Sequence, residues 1–305
     1  MSQEPGYVEI QINGGWGHDF TADPETIWQV GAHLPSTGVT SFLPTIVSAP
    51  YERVAAAIDV VRTGPPDDYG GARVLGLHVE GPWISPQWHG AHNPAHLLPP
   101  DIGIAREWAE TGMVRMVTMA PELDDAFEVA TVLAEAGVVV SAGHSGADFE
   151  TSTKALSGPW RSVTHLFNQM SPFHHRSPGL VGAALLSDRP CGLIVDGIHS
   201  DPSAVRLAWK LLGPDRLVLI TDAMAAAGLG QGSYRLGDHQ VVVGDDGPRI
   251  GAETLAGSTL TMEQAVVNLR AWTGATGAQA RACSSANPAR LLGLDVESGQ
   301  AGSPR

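Results

Sequence analysis

The sequence predicts an α/β fold: a (β/α)8, TIM-like barrel of eight parallel strands alternating with helices. Three observations point there. Eight short apolar runs, bounded by turn residues, read as buried parallel strands. Helical patterns fall between several of them, as βα units require. Four runs end on a metal-capable or acidic residue: Val74 to Glu80 (VLGLHVE), Val138 to His144 (VVVSAGH), Ser162 to His165 (SVTH) and Leu217 to Asp222 (LVLITD). Such a barrel carries its chemistry at the carboxyl ends of its strands.

The elements follow in order. The first strand is predicted over Val8–Ile12, and Asp23-Pro24 opens a helix over Pro24–Leu34, a capping residue ahead of a proline. A second strand, Val39–Leu43, leads to a helix over Glu52–Arg62. Strands are predicted at Arg73–His78 and Met113–Thr118, a helix at Leu123–Ala136, and strands at Val138–Ser141, Ser162–His165 and Gly192–Val195. Asp201-Pro202 begins the helix Pro202–Leu212, and Leu217–Thr221 is the eighth strand. The polar stretch Gly230 to Gly251 holds the alternating run Gln240–Val243 and predicts a β-hairpin excursion. Helices at Thr261–Trp272 and Ala278–Leu292 follow. Residues 1–294 form one barrel unit, and 295–305 are predicted as a disordered tail.

At 305 residues, with 43% hydrophobic and 16% charged residues, the chain can bury a large core, which excludes disorder. A net charge of −14 argues against nucleic-acid and anionic-membrane partners. Cys191 and Cys283 sit in apolar or helical runs and read as buried thiols of a reducing compartment. No basic leader precedes an apolar segment and no apolar run nears 18 residues, so the expectation is a cytoplasmic protein.

Taken alone, Glu80 reads as a helix cap or rim salt bridge, and His144 and His165 as satisfied loop histidines. Coincidence favours another reading. Strand ends of one barrel converge on one rim, and two imidazoles plus a carboxylate make a three-ligand divalent set with an open position. Asp222 could be an N-cap for Ala223-Met224-Ala225-Ala226. Beside a metal-bound water it could instead take a proton and pass it to a leaving amine. The expectation is a metallohydrolase.

The first strand carries Gln11-Ile12-Asn13 rather than a His-x-His pair, and the two lysines, Lys154 and Lys210, lie in helical contexts. One metal is therefore favoured over two. Gln11 and Asn13 are candidates to hydrogen-bond around the site. His174-His175-Arg176 is the densest cationic cluster and, with His199, suits a phosphorylated substrate, because Arg presents a fork of donors to phosphate. The Leu255-Ala256-Gly257-Ser258 loop precedes a helix and offers backbone amides. Trp83 and Trp88 lie near the rim and are candidates to line it.

The strings GLHVEGPWISPQWHGAHNP, SAGHSGA, VTHLFNQMSPFHHRSPGLVGAAL, VDGIHSDP, LITDAM and LAGSTLTM resemble the N-acetylglucosamine-6-phosphate deacetylases of the amidohydrolase superfamily. The resemblance runs from Pro5-Gly6 to about Leu294. It implies a metal-dependent amidohydrolase barrel holding one divalent ion per subunit, zinc or iron, on Glu80, His144 and His165. It implies Asp222 as catalytic acid/base, with His92 near the acetyl carbonyl. Sugar and phosphate contacts are implied at Ala91, His92, Asn168, Gln169, Arg176, His199, Leu255, Ala256 and Gly257, with Arg176 reaching the neighbouring subunit of a homodimer. The implied substrate is N-acetyl-D-glucosamine 6-phosphate; another N-acyl amino-sugar phosphate, or a non-catalytic sugar-phosphate-binding relative, is the alternative. Two departures stand out: the family's small β-sandwich domain is expected to be missing, and Trp83, Gly146 and Gln169 differ from the pattern.

Overall fold

A computed structural model describes residues 6–294; the predicted tail at 295–305 lies outside them. Eight parallel strands form one sheet in sequential order: β1 Tyr7–Ile12, β2 Val39–Val47, β3 Leu77–Glu80, β4 Val114–Met119, β5 Val139–Ala142, β6 Trp160–Val163, β7 Cys191–Ile194 and β8 Leu217–Ile220. The helices are α1 Ile27–His33, α2 Tyr51–Thr63, α3 Ile102–Thr111, α4 Ala126–Glu135, α5 Phe149–Ser157, α6 Gly179–Leu186, α7 Pro202–Arg216 and α8 Met262–Thr273. This is the predicted barrel. Its core is built from strand residues such as Ile10, Phe42, Leu77, Val117, Val140, Leu193 and Leu219, all buried.

Several boundaries differ, each for a local reason. β2 continues through Pro44 to Val47. Pro44 stands opposite Ile12 at a register shift, and the Ile12 N–H is met by the Thr45 hydroxyl at 3.0 Å. The predicted strand Arg73–His78 is broken: Arg73–Val74 pairs with β2, and β3 restarts at Leu77. Gly76 makes the break with φ +123°, where a Cβ would meet the Met113 carbonyl at 2.5 Å. Asp201 caps α7 through the Ser203 N–H, but the Asp23 side chain makes no cap bond.

Three helices escaped the pattern reading: α3, α5 and α6. In α6, GLVGAALL, every residue but the last is buried, so no polar face exists to produce a period. The last predicted helix is three pieces: α9 Gly277–Arg281, a π-turn at Ala282–Ala286, and α10 Asn287–Leu291. Lys154 and Lys210 lie in α5 and α7. Trp83 does not line the rim; it is fully buried against Trp108, with ring centroids 4.9 Å apart.

The excursion is larger than a hairpin. Strands β9 Gly232–Leu236, β10 His239–Gly244, β11 Gly247–Ile250 and β12 Thr254–Leu255 form a four-stranded antiparallel sheet over the carboxyl rim.

The seam between β1 and β8 is closed by few backbone bonds. A bridge joins Ile12 to Ala223, the Asp222 N–H donates to the Gln11 carbonyl at 2.9 Å, and the Asn13 N–H to the Ala223 carbonyl at 2.7 Å. Deeper in the seam the Glu9 carboxyl substitutes for ladder carbonyls. It accepts the Gln11 N–H at 2.9 Å and the Thr221 N–H at 3.0 Å. Burial pushes the Glu9 carboxyl up to about 8.

That value sets a pH dependence. Between the ordinary glutamate range and 8, the folded chain holds a proton the unfolded chain has lost, so this contribution to stability falls as pH rises. Glu9→Gln leaves one backbone donor facing an amide and should cost about 1–3 kcal/mol near about pH 5, less near about pH 9. Denaturant unfolding of both chains at the two pH values checks this; a cost that does not change with pH contradicts it.

Candidate active site

The carboxyl rim surrounds a small cavity of about 60 Å³, lined by Asn13, Glu80, His92, His144, His165 and Asp222 among others. Glu80, the last residue of β3, is buried at its floor. His144 and His165 follow β5 and β6 in left-handed backbone, φ 49° and 28°, and Asp222 follows β8 at φ 50°. Non-glycine residues seldom adopt this region, and such strain collects at functional sites.

Three donor atoms meet at one point. Glu80 Oε1 lies 3.2 Å from His144 Nε2 and 3.1 Å from His165 Nε2, and the two Nε2 atoms are 3.0 Å apart. Buried carboxylate and imidazole lone pairs at such spacing suit a divalent cation bound at about 2.0–2.2 Å from each. The His144 tautomer agrees. His144 Nδ1 donates to the Trp88 carbonyl at 2.9 Å, which leaves Nε2 free to ligate.

His92 also stands close. Its Nε2 is 3.9 Å from Glu80 Oε2, and Glu80, His92 and His144 could themselves form a ligand group. Hydrogen bonding separates the two sets. His92 Nδ1 accepts the Ser48 N–H at 3.1 Å and sits 2.8 Å from its hydroxyl, so the neutral ring carries its proton on Nε2. Burial and the His144 ring hold His92 well below the usual imidazole range. In that tautomer the ring presents an N–H, not a lone pair, to the cavity. Burial would raise the Glu80 carboxyl, but the two imidazoles outweigh it and hold it well below its ordinary range. His165 is correspondingly raised: burial opposes its charge and Glu80 favours it.

Asp222 faces the same point. Asn13 Nδ2 donates to its Oδ1 at 2.8 Å, while Gln11 Nε2 lies 3.1 Å from Glu80 Oε1 and 3.4 Å from Asp222 Oδ1. Gln11 and Asn13 thus bond around the site as the sequence suggested. Burial, then the Glu80 charge, pushes Asp222 up to about 6. That suits a group exchanging a proton near neutrality.

Ala91, Asn168, Gln169, His199, Leu255 and Gly257 line the same cavity. Ala256 is buried behind it, its N–H on the Pro248 carbonyl. Gln169 lies against the Gly90 backbone, where a Cβ would come within 2.8 Å of its Cγ. Arg176 is not brought into the cavity of its own chain; it is exposed, with its guanidinium 2.7 Å from His175 Nε2. The sequence reading missed Ser48, the Trp88 carbonyl and Asp196. Asp196 accepts His199 Nδ1 at 2.7 Å and two backbone N–H groups of its own loop. Its place three residues before His199 was the one available signal.

With a carboxylate, two imidazoles and an aspartate at its carboxyl rim, the chain is an α/β barrel, a fold it shares with an amidohydrolase of Pseudomonas aeruginosa at 13% identity and a TM-score of 0.54. No family model matches the chain. It is 42% identical to an N-acetylglucosamine-6-phosphate deacetylase of Bos taurus, over 97% of this chain and 75% of that protein. It is 37% identical to an N-acetylgalactosamine-6-phosphate deacetylase of Escherichia coli O157:H7, over 95% of this chain and 78% of that one. A solved structure of a mutant N-acetyl-D-glucosamine-6-phosphate deacetylase from Mycobacterium smegmatis, in complex with N-acetyl-D-glucosamine 6-phosphate, superposes with a TM-score of 0.88. It is 36% identical, covering 95% of this chain and 78% of that chain. The chain belongs to the N-acetylglucosamine-6-phosphate deacetylase family.

The two ligand sets predict different outcomes. His144→Ala and His165→Ala should lose tightly held divalent ion, whereas His92→Ala should retain about one equivalent per chain. Elemental analysis after gel filtration decides; loss of the ion in His92→Ala would reassign the ligands.

Proposed function

We propose that the chain hydrolyses the acetamide of N-acetyl-D-glucosamine 6-phosphate, giving D-glucosamine 6-phosphate and acetate, in amino-sugar catabolism. The observation that carries this is the mutual placement of Asp222, His92 and the Glu80–His144–His165 set around one buried point. A sugar-binding protein without catalysis would have no use for a proton-exchanging carboxyl there.

Glu80, His144 and His165 would hold one divalent ion per subunit, zinc or iron. When bound, it supplies Lewis acidity, lowering the pKa of a water towards about 7 and polarising a carbonyl oxygen. Asp222 takes the proton of the attacking water and returns it to the sugar nitrogen as the C–N bond breaks. Asn13 and Gln11 hold its carboxyl in place. The Nε2–H of His92 donates to the oxygen that gains charge as the carbonyl is attacked. Asn168, Gln169, His199 and the Leu255–Gly257 loop bind the sugar and its phosphate, so remote binding energy orients the amide.

The cavity lining contains no Arg or Lys among the described residues, yet the substrate is an anion and the protein carries −14. This supports a homodimer in which Arg176 of each chain serves the other's phosphate. Two buried free thiols, Cys191 and Cys283, support a reducing, cytoplasmic setting. No helix among the described residues is long and apolar enough to cross a membrane. A second reading, N-acetyl-D-galactosamine 6-phosphate as substrate, is supported by the 37% identity to the Escherichia coli O157:H7 deacetylase named for that sugar; kcat/KM measured on both sugars decides between them.

Asp222→Asn should keep ion and substrate binding but lower kcat by about 100- to 10,000-fold, because an amide cannot carry the proton. A kcat loss below about threefold in steady-state assays would assign proton transfer elsewhere. Arg176→Ala should cost the phosphorylated sugar about 1.5–3 kcal/mol in kcat/KM and spare the unphosphorylated one. Mixing Arg176→Ala with Asp222→Asn chains should raise activity on the phosphorylated sugar above that of either alone if the arginine acts across the dimer; selective loss without complementation would return it to its own subunit.

A further inference from the structure

A cluster just outside the cavity joins three of the rim loops at Ser145. This residue directly follows His144 and is fully buried. Its hydroxyl donates to Glu122 Oε2 at 2.7 Å, and the Gly146 N–H donates to Glu122 Oε1 at 2.6 Å. Glu122 comes from the loop between β4 and α4. On its other side, the Ser145 N–H donates to the Gln169 carbonyl at 3.1 Å, and its carbonyl accepts the Ser171 N–H at 2.9 Å. Those two residues lie shortly beyond His165. The Ala147 N–H closes on the Ser145 hydroxyl at 3.1 Å.

A carboxylate between a strand and a helix ordinarily caps the helix. Here both Glu122 oxygens instead reach the loop after β5, through hydrogen bonds strengthened by the carboxylate charge. The loop needs such restraint. His144 and His165 both sit in left-handed backbone with Nε2 atoms 3.0 Å apart, an arrangement that persists only where its surroundings over-determine it. The Trp88 carbonyl fixes the His144 ring, and the Ser85 N–H holds its carbonyl at 2.9 Å. Neither ties it to His165. Ser145 does: its backbone N–H and carbonyl bond the two histidine loops to each other, and Glu122 holds that backbone in place through the Ser145 hydroxyl and the Gly146 N–H.

We propose that Glu122 and Ser145 are positioning residues that set the spacing of His144 and His165, and thereby the affinity of the Glu80–His144–His165 set for a divalent cation. The inference rests on the metal reading above and touches no reacting atom. Groups bonded directly to a ligating ring are worth about 10- to 100-fold in metal affinity, which bounds the effect of Glu122 and Ser145 one step further out.

Equilibrium zinc affinity of the metal-free full chain, measured by chelator competition, tests this, with the melting temperature of each metal-free variant measured alongside. Glu122→Ala and Ser145→Ala should each weaken zinc by more than about twofold and by no more than about 100-fold. Their combination should fall short of the sum of the two, because both break one contact. Glu122→Gln should recover part of the loss, since its amide oxygen still accepts one bond. Glu128→Ala, an exposed carboxylate on α4, should leave zinc affinity unchanged. Ser145→Ala removes a single atom and keeps the test available should Glu122→Ala not fold. A zinc-binding parent matched by both alanine variants within about twofold overturns the brace alone, as does a loss shared by Glu128→Ala. A parent that binds no divalent ion overturns the metal reading and the brace together.

Discussion

The β1–β8 seam is the constraint on which the site depends. A parallel barrel has no spare edge, yet these two strands share few direct backbone bonds, and the buried carboxyl of Glu9 holds the Gln11 and Thr221 amides in place of a ladder. The consequence is geometric. Gln11 and Asn13 of the first strand reach Glu80 and Asp222, so the beginning and end of the barrel meet over one cavity. Loosening Glu9 would therefore act on Asp222 as well as on stability.

Electrostatics dominates the cavity itself. Two buried carboxyls, Glu80 and Asp222, share it and are driven apart in behaviour. Paired imidazoles keep Glu80 ionised, while desolvation and the Glu80 charge lift Asp222 to about 6. One carboxyl is suited to holding a cation and the other to exchanging a proton. His92 is separated from the other histidines in the same way, by what its far nitrogen accepts: the Ser48 amide commits its proton to Nε2.

An acidic chain binding an anion faces an unfavourable field, and the cavity answers it locally rather than globally. His199, tied to Asp196, and the amides of Asn168 and Gln169 are among the polar groups that line it within one subunit. Supply of the remaining positive charge from a second copy would couple substrate binding to assembly. It would also explain why the densest cationic cluster in the sequence points away from its own cavity.

Much of this was legible in the sequence. Apolar runs fixed the eight strands, since parallel barrel strands are buried on both faces, and the residue ending each run marked Glu80, His144, His165 and Asp222 because strand ends share one rim. Charge alone pointed to His199, and motif resemblance added His92, Asn168 and Gln169. Pattern reading failed where burial is uniform, as in α6, or where one glycine breaks a strand, as at Gly76. Only the tertiary structure decided which ring nitrogen of His144 and of His92 faces the cavity with a lone pair and which with a proton, since that depends on the Trp88 carbonyl and the Ser48 amide, backbone groups on other loops. It alone raised Asp222 and joined Glu122 to Ser145. These are through-space effects between residues far apart in the chain, and no local pattern encodes them.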